Sequence, residues 1–384
     1  MMGTQELKGE FREKFGGESR VYRAPGRVNL IGEFTDFNDG FVMPAAIGFY
    51  CWVAVGPRSD SKIAIDSENF SETILLDLNH ETLRPTGKWT DYPVGVVSVL
   101  RQSGFPIRGA NLLIHGEVPM GAGLSSSAAV EVATAYALLD MLGVPIEPAR
   151  LAAFAQRAEN EFVGARVGIM DQFASANGRA GRAIVLDCRS LDFELVPIPE
   201  SARLVICNTM VKHAHSSGEY NKRRAECEEA VRKLSAFYPG IRALRDVRLE
   251  EVESHQDDLP DVIYRRALHV VAENARVLDA VKALRSEDLP SFGRRMAESH
   301  ASLRDLFEVS SPELDRMVEL ANDQPGVYGA RMTGGGFGGC TINLVEATEA
   351  ESFRERMIVL YEGARRIRPE IQICEPAQGA GRVA

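Results

Sequence analysis

Disulfide-built, metal-finger and membrane proteins each leave a compositional mark, and this chain carries none of them. Only six cysteines occur in 384 residues: Cys51, Cys188, Cys207, Cys227, Cys340 and Cys374. None falls in a CxxC pair, which reads as reduced thiols rather than a disulfide framework or a zinc site. No run approaches the roughly 20 apolar residues of a membrane helix. The longest uncharged stretch, 40–57, is broken by Pro44 and Gly48, and its strand formers predict paired core strands. Positive charge is also short: 44 Lys and Arg against 54 Asp and Glu leave a net charge of −10. That excludes the basic face of a nucleic-acid protein. An anion must then be met locally, by backbone N–H groups, a few cations or a metal. The N-terminal "MMGTQELKGEFREKFGG" mixes acids and bases without an apolar run, so no signal peptide is read and the cytoplasm is the expected location. Internal repeats and low-complexity tracts are lacking as well.

What is present is ordinary globular composition, 45% hydrophobic and 26% charged, enough for sizeable cores. At about 150 residues per domain the length suggests two to three domains. "RVYRAPGRVNLIGE", "FYCWVAVGPR", "SKIAIDSENF" and "ANLLIHGEV" read as strands, the last ending near Val118. Helical patterns start at Ser125 and at Pro148, the second with Leu151, Ala155, Ala158 and Phe162 on one stripe. "RAIVLDC" and "LVPIP" resume strands. The second half is richer in helix, over 220–237, 262–284 and 312–321, then closes with the strand "CTINLVE" and a helix over 350–365. The proline-bracketed "PIPESA", 197–202, is the expected junction. The pattern predicts a two-lobed α+β enzyme, with lobes 1–200 and 201–384 and a cleft between them.

The strongest chemistry lies in "VPMGAGLSSSAAVEV". Gly121, Ala122, Gly123 and Leu124 form a turn, and Ser125, Ser126 and Ser127 open an Ala-rich helix. Glycines admit close backbone approach, and a helix start offers unpaired N–H donors at a positive dipole end. Such a turn suits the phosphates of a nucleotide. Neither the Walker A pattern nor the third glycine of a dinucleotide fingerprint is present, and plain N-capping serines remain an alternative. A second segment, "ARMTGGGFGGCTINL", has five glycines in 334–339, interrupted only by Phe337. It predicts a close backbone approach to substrate or phosphate rather than a flexible hairpin.

Phosphoryl transfer also needs charge neutralisation and a positioned nucleophile. Glu159 with Ser127 suits Mg²⁺, which takes carboxylate and hydroxyl oxygens. Asp171, flanked by Met170 and Phe173, could accept a hydroxyl proton with Arg27 as its charge partner. Residue types alone leave other readings open: a solvated Glu159, an N-capping Asp171, a structural Arg27.

Taken together, "GRVNLIGEFTDFNDGFVMPAAI", "PMGAGLSSSAA" and "ARMTGGGFGGCTI" resemble the three signature motifs of the galactokinase family, within the GHMP group of sugar and small-molecule kinases. "AENEFVGARVGIMDQFAS", "VKHAHSSGEYNKRRAECEEA", "RRALHVVAENARVL" and "SHASLRDLFEVSSPELD" resemble further segments in the same order, so the likeness spans nearly the whole chain. It implies a ribosomal-protein-S5-domain-2-like N-terminal lobe, a ferredoxin-like C-terminal lobe, and galactose and ATP meeting in the cleft. By the same resemblance, Gly121 to Ser127 wrap the ATP phosphates, and Ser127 with Glu159 holds Mg²⁺. Asp171 is the base that takes the C1 hydroxyl proton, and Arg27 its partner. Glu33, Phe34, Thr35, Asp36 and Tyr220 belong to the sugar site, with Ser67 and Trp89 near the adenine. The implied partners are small molecules, not nucleic acid or membrane, and the implied state is a monomer or weak homodimer.

One departure stands out. The family reads "GEHTDY" where this chain has "GEFTDF", so Phe34 and Phe37 replace a histidine and a tyrosine. Phenylalanine neither donates nor accepts a hydrogen bond. A related sugar 1-kinase acting on L-arabinose, D-fucose or N-acetylgalactosamine is therefore the alternative. A non-catalytic galactose sensor is the remote one, and the intact "GLSSSAAV", Glu159 and Asp171 speak against it.

Overall fold

The computed structural model describes residues 3–79, 83–212 and 216–383; part of the "VKHAHSSGEY" segment, 213–215, lies outside them. In chain order the strands are β1 (Arg20–Asn29), β2 (Phe41–Val42), β3 (Pro44–Pro57), β4 (Lys62–Ser67), β5 (Glu72–Asp77), β6 (Ala110–Gly116), β7 (Arg182–Asp187), β8 (Phe193–Pro197), β9 (Ala202–Lys212), β10 (Val327–Met332), β11 (Gly338–Glu346), β12 (Glu370–Cys374) and β13 (Gly381–Arg382). The helices are α1 (Thr4–Phe15), α2 (Asp91–Gln102), α3 (Ser126–Met141), α4 (Pro148–Arg157), α5 (Met170–Asn177), α6 (Ser216–Leu234), α7 (Leu249–Glu253), α8 (Asp261–Arg285), α9 (Leu289–Asp305), α10 (Pro312–Asn322) and α11 (Ala350–Arg365).

The N-terminal sheet has the order β13-β1-β3-β6-β4-β5. Its central strands are near-continuous apolar runs because both faces are covered. On one face α1 lays Leu7 and Phe11 against Val21, Ala54 and Leu113. The other face carries α3, whose alanines, valines and leucines are buried nearly all round, the signature of a core helix. The C-terminal sheet, β10-β11-β9-β12, is antiparallel throughout. Along β9, Leu204 and Ile206 join the large core that continues from the first sheet. Val205 and Cys207 alternate to the opposite face, where α10 and α11 bring Met317, Phe353 and Met357. A small sheet, β2-β7-β8, sits beside α8. The chain end returns to the first sheet, where Tyr22 and Arg23 of β1 pair with Arg382 and Gly381. No helix among the described residues is long and apolar enough to cross a membrane.

Three local expectations are corrected. The 40–57 stretch does form strands, but they do not pair with each other. β2 pairs with β7, while β3 lies between β1 and β6. The break falls where Met43 exchanges backbone bonds with Leu30 and Ile31, followed by Pro44, which has no N–H to donate. The helix begun at Pro148 leaves the α geometry at Arg157 and continues as a π-helical turn, Ala158–Val163. There the Glu159 carbonyl accepts from both Gly164 and Ala165, and the Glu159 side chain is buried rather than solvated. β6 ends at Gly116, two residues before Val118, although the bond that continues its register, Glu117 N–H to Tyr50 O (2.8 Å), is still made.

Helix α9 crosses β10 with the two backbones touching, because a Cβ on Gly293 would run into the carbonyl of Tyr328. Gly293→Ala is expected to destabilise the protein by roughly 1–3 kcal/mol. Gly363→Ala, in α11 with open space around it, should be neutral or stabilising by up to about 1 kcal/mol. Urea midpoints of the two variants check this, and an equal shift in both would refute the packing argument.

Candidate active site

The turn between β6 and α3 folds as its glycines require. Gly121 and Gly123 have φ of 68° and 78°, and Ser125 is also left-handed at 62°. The first α3 backbone bond runs from Ala129 N–H to Ser125 O, so the N–H groups just before it face outward unpaired. They open on a cavity of about 360 Å³. Gly121, Gly123, Leu124 and the three serines line it; Ala122 is buried beneath the turn. A second cavity of about 110 Å³ shares Tyr92, Ser126 and Ser127 with the first, and Ser67 and Trp89 line it. There the Trp89 ring stacks on Phe70 (5.0 Å, 4°) and its Nε1 donates to Glu72 (3.0 Å).

Arg27 reaches the main cavity from β1, just after a bulge at Pro25 and Gly26. A Cβ on Gly26 would strike the Leu124 carbonyl, so the glycine lets β1 touch the turn. The guanidinium is buried, and each of its three nitrogens is hydrogen-bonded. Nε and Nη2 donate to the two carboxylate oxygens of Asp171 (2.8 and 2.7 Å), and Nη1 donates to Gly123 O (2.6 Å). This bidentate fork is the strongest form of the pair. Ser125 Oγ donates to Asp171 Oδ2 (2.5 Å). Asp171 lies in the first turn of α5 and does not cap it; its side chain faces the cavity, a quarter exposed.

The loop from Gly32 to Gly40 supplies the opposite wall. Gly32 and Phe34 have φ of 103° and 65°, which aims Glu33 and Asp36 inward. Glu33 accepts from Gly334 N–H (2.8 Å). Burial pushes its carboxyl up from the ordinary range, against the pull of Arg331 and Arg27. Asp36 is pushed up to about 7, first by burial and then by Asp171 and Glu33, against the bond from Phe37 N–H. Its carboxylate fits because Gly168 has no side chain: a Cβ there would overlap Asp36. The hydroxyl of Tyr220 accepts from Gly168 N–H, and burial beside Asp36 and Asp171 raises it well above the usual phenol. Phe34 packs against Phe307 (4.6 Å) and Tyr220 (5.5 Å) and presents an apolar face to the cavity. The Thr35 side chain does not line the cavity; it is buried, with its hydroxyl between Gly32 O and Phe41 O.

Glu159 sits beyond the serines. Burial and then Asp171 push it up to about 7, against hydrogen bonds from Ser127, Glu131 and Gln172. Gln172 Nε2 donates to Glu159 Oε2 (2.6 Å) and leans on Glu131 Oε2 (3.2 Å). Glu131 is fully buried, and burial and then Glu159 raise its carboxyl well above the ordinary range. Sequence reasoning misses Glu131, Gln172, Gly168 and Phe70. Glu131 does leave a signal, four residues after Ser127 on the same face of an otherwise apolar helix.

The Gly-rich loop at 334–339 approaches other backbone more than open space. Side chains at Gly334, Gly336 and Gly339 would collide with the carbonyls of Gly123, Val309 and Ala122. Gly334 and Gly335 also line the cavity, so the loop locks the serine turn to the Glu33 loop.

With this geometry in view, the likenesses are specific. Three family models match: "Galactokinase galactose-binding signature" over residues 9–57, "GHMP kinases N terminal domain" over 91–179 and "GHMP kinases C terminal" over 280–361. A galactokinase of a Roseiflexus species is 45% identical over 384 residues, 100% of this chain and 98% of the relative. That of Chloroflexus aggregans is 46% identical over 362 residues, 94% and 93% of the two chains. Among solved structures, the Lactococcus lactis galactokinase complexed with galactose superposes with a TM-score of 0.95 at 36% identity, covering 99% of each chain. The Methanococcus jannaschii mevalonate kinase, with a TM-score of 0.67 at 17% identity over 94% and 99% of the two chains, shares the fold. On these grounds the chain belongs to the galactokinase family of the GHMP kinases.

Proposed function

We propose that the chain is an ATP-dependent sugar kinase that moves the γ-phosphoryl group of ATP to the C1 hydroxyl of α-D-galactose, giving galactose 1-phosphate and ADP. One observation carries the reading: the Arg27–Asp171 pair, held to Ser125, stands where the serine turn and the acidic loop face each other across one cavity. In this reading lobe 1–200 brings the phosphate turn, the base and the acidic loop, and lobe 201–384 brings Tyr220 and the Gly-rich loop. The base-binding role of Ser67 and Trp89 rests on the apolar second cavity beyond the serines. The family relationship supports galactose as the sugar.

Asp171 accepts the C1 proton as the sugar oxygen forms its bond to the γ-phosphorus and the bond to the β–γ bridging oxygen breaks. Arg27 fixes the carboxylate and offers positive charge to the transferring group. The open N–H groups at the start of α3 hold phosphate oxygens. Glu33, Asp36 and Tyr220 accept and share hydrogen bonds with sugar hydroxyls, which fixes the ring. Ser127 and Glu159 suit Mg²⁺, since a buried carboxyl raised to about 7 beside a hydroxyl lacks a cation partner. Bound there, Mg²⁺ would neutralise and orient the triphosphate.

Asp171→Asn should lower kcat by about 10²–10⁴ while leaving ATP affinity within a few-fold, as read by a coupled ADP assay and nucleotide titration. Near-normal turnover would sink the base assignment.

Asp36 accepts through both oxygens only when ionised, and its raised value means ionisation proceeds as pH climbs through about 7. At saturating ATP and Mg²⁺, kcat/KM for galactose should therefore rise between pH 6 and 8. Asp36→Asn should be slower and lack that inflection; a flat wild-type profile would contradict the assignment.

Phe34 gives the wall an apolar face where a histidine could bond a sugar hydroxyl. The alternative substrates, D-fucose, L-arabinose and N-acetylgalactosamine, are tested together with it. Phe34→His should raise the kcat/KM ratio of galactose over D-fucose about 2–10-fold, the worth of one hydrogen bond. An unchanged ranking across the panel would show that Phe34 does not set preference.

A further inference from the structure

The loop carrying Glu33 and Asp36 is held in a conformation that it would not keep alone. Phe34 is a bulky residue at φ 65°, next but one to Gly32 at 103°. Left-handed backbone at such a residue persists only where the surroundings over-determine it. Local bonds supply part of that: Asn38 Nδ2 donates to Phe34 O (2.9 Å), and Asn38 and Gly40 N–H donate to Thr35 O (3.0 and 2.8 Å).

The remainder comes from far along the chain. Helix α8 presents His269, Glu273 and Asn274 on one face, four and five residues apart. His269 Nε2 bonds Glu33 O (3.2 Å), Glu273 Oε1 accepts from Gly32 N–H (2.9 Å), and Asn274 Oδ1 accepts from Phe41 N–H (2.9 Å). All three bonds go to loop backbone, at both ends of the bend. The first two are fixed from behind. The Glu33 carbonyl can only accept, which puts the neutral ring's proton on Nε2 and leaves Nδ1 to accept from Ser302 Oγ (2.8 Å). Ser299 Oγ and Arg276 Nε hold the two oxygens of Glu273 (2.6 and 2.7 Å). His269 is fully buried and lowered to about 4, so it is the neutral donor this arrangement needs. Its ring also packs on Phe307 (4.6 Å), the ring that buttresses Phe34. None of the three lines the cavity.

We propose that His269, Glu273 and Asn274 are positioning residues for sugar recognition, clamping the bent loop so that Glu33 and Asp36 face the sugar. This rests on the sugar-site reading above. A helix face that served stability alone would change the melting temperature and leave both Michaelis constants untouched, because KM does not depend on the fraction folded.

The test is steady-state kinetics of His269→Leu, His269→Gln and Asn274→Leu, with Glu33→Gln as reference. His269→Leu and Asn274→Leu are expected to raise KM for galactose about tenfold, the effect of misplacing one hydrogen bond, with KM for ATP within twofold. His269→Gln, whose amide can still donate towards Glu33 O, should recover most of the loss. The clamp is overturned if Glu33→Gln raises KM for galactose while the α8 variants leave it unchanged, or if His269→Gln is no better than His269→Leu. An unchanged galactose KM in Glu33→Gln would instead overturn the sugar-site reading. Asn274→Leu keeps the test open should His269→Leu not fold.

Discussion

A carboxylate taken out of water costs several kcal/mol unless charge or hydrogen bonds meet it, and here Glu33, Asp36, Glu159 and Asp171 wall a single cavity. One guanidinium, Arg27, stands among them, and each of its three nitrogens makes a hydrogen bond. Side chains add to it: Arg331 stands beside Glu33, Ser125 bonds Asp171, and Gln172 bonds Glu159, and backbone supplies the rest. Gly334 and Phe37 give N–H groups to Glu33 and Asp36, and the start of α3 adds its dipole. Burial first, and then the neighbouring negative charge, raises both Asp36 and Glu159 to about 7. A site in this condition favours ligands that bring donors or cations, which is what a polyhydroxy sugar and a metal-bound nucleotide offer.

Backbone donors must be brought close, and that requirement explains much of the local architecture. The bare α-carbons of Gly334, Gly336 and Gly339 let their loop lie directly on the carbonyls of the serine turn and of Val309. Gly168 makes room for a carboxylate and Gly26 for a neighbouring strand. The π-helical turn at Ala158–Val163 has the same effect by another route, turning Glu159 from the helix surface to the interior. Its seat is α2, where Gly95 lies close against Ala158 and Phe162.

Where local signals agreed with tertiary packing, the sequence was legible. α3 begins within a residue of Ser125 and α11 spans 350–365 as the apolar spacing put it, and the glycine-serine turn stands between β6 and α3 as its composition required. α2 was not legible: "DYPVGVVSVLRQ" carries Pro93, Gly95 and four valines, a strand-like composition that packing overrides. β9 hid for the opposite reason, since both its faces are buried and no polar alternation marks it. In the site, Arg27 with Asp171 and Ser127 with Glu159 could be paired from the sequence, but the residues behind them could not. Glu131 and Gln172 behind Glu159, and the α8 face behind Glu33, depend on segments that meet only in three dimensions.

The return of β13 to β1 has a consequence for how the protein is made. β1 carries Arg27, and its outer edge is covered by residues 381 and 382. During synthesis, at about 5–20 residues per second, that edge stays open for tens of seconds after β1 has emerged. An unpaired edge strand is a template for wrong partners. The strand that bears the central cation of the cavity is thus completed late, at Tyr22 and Arg23.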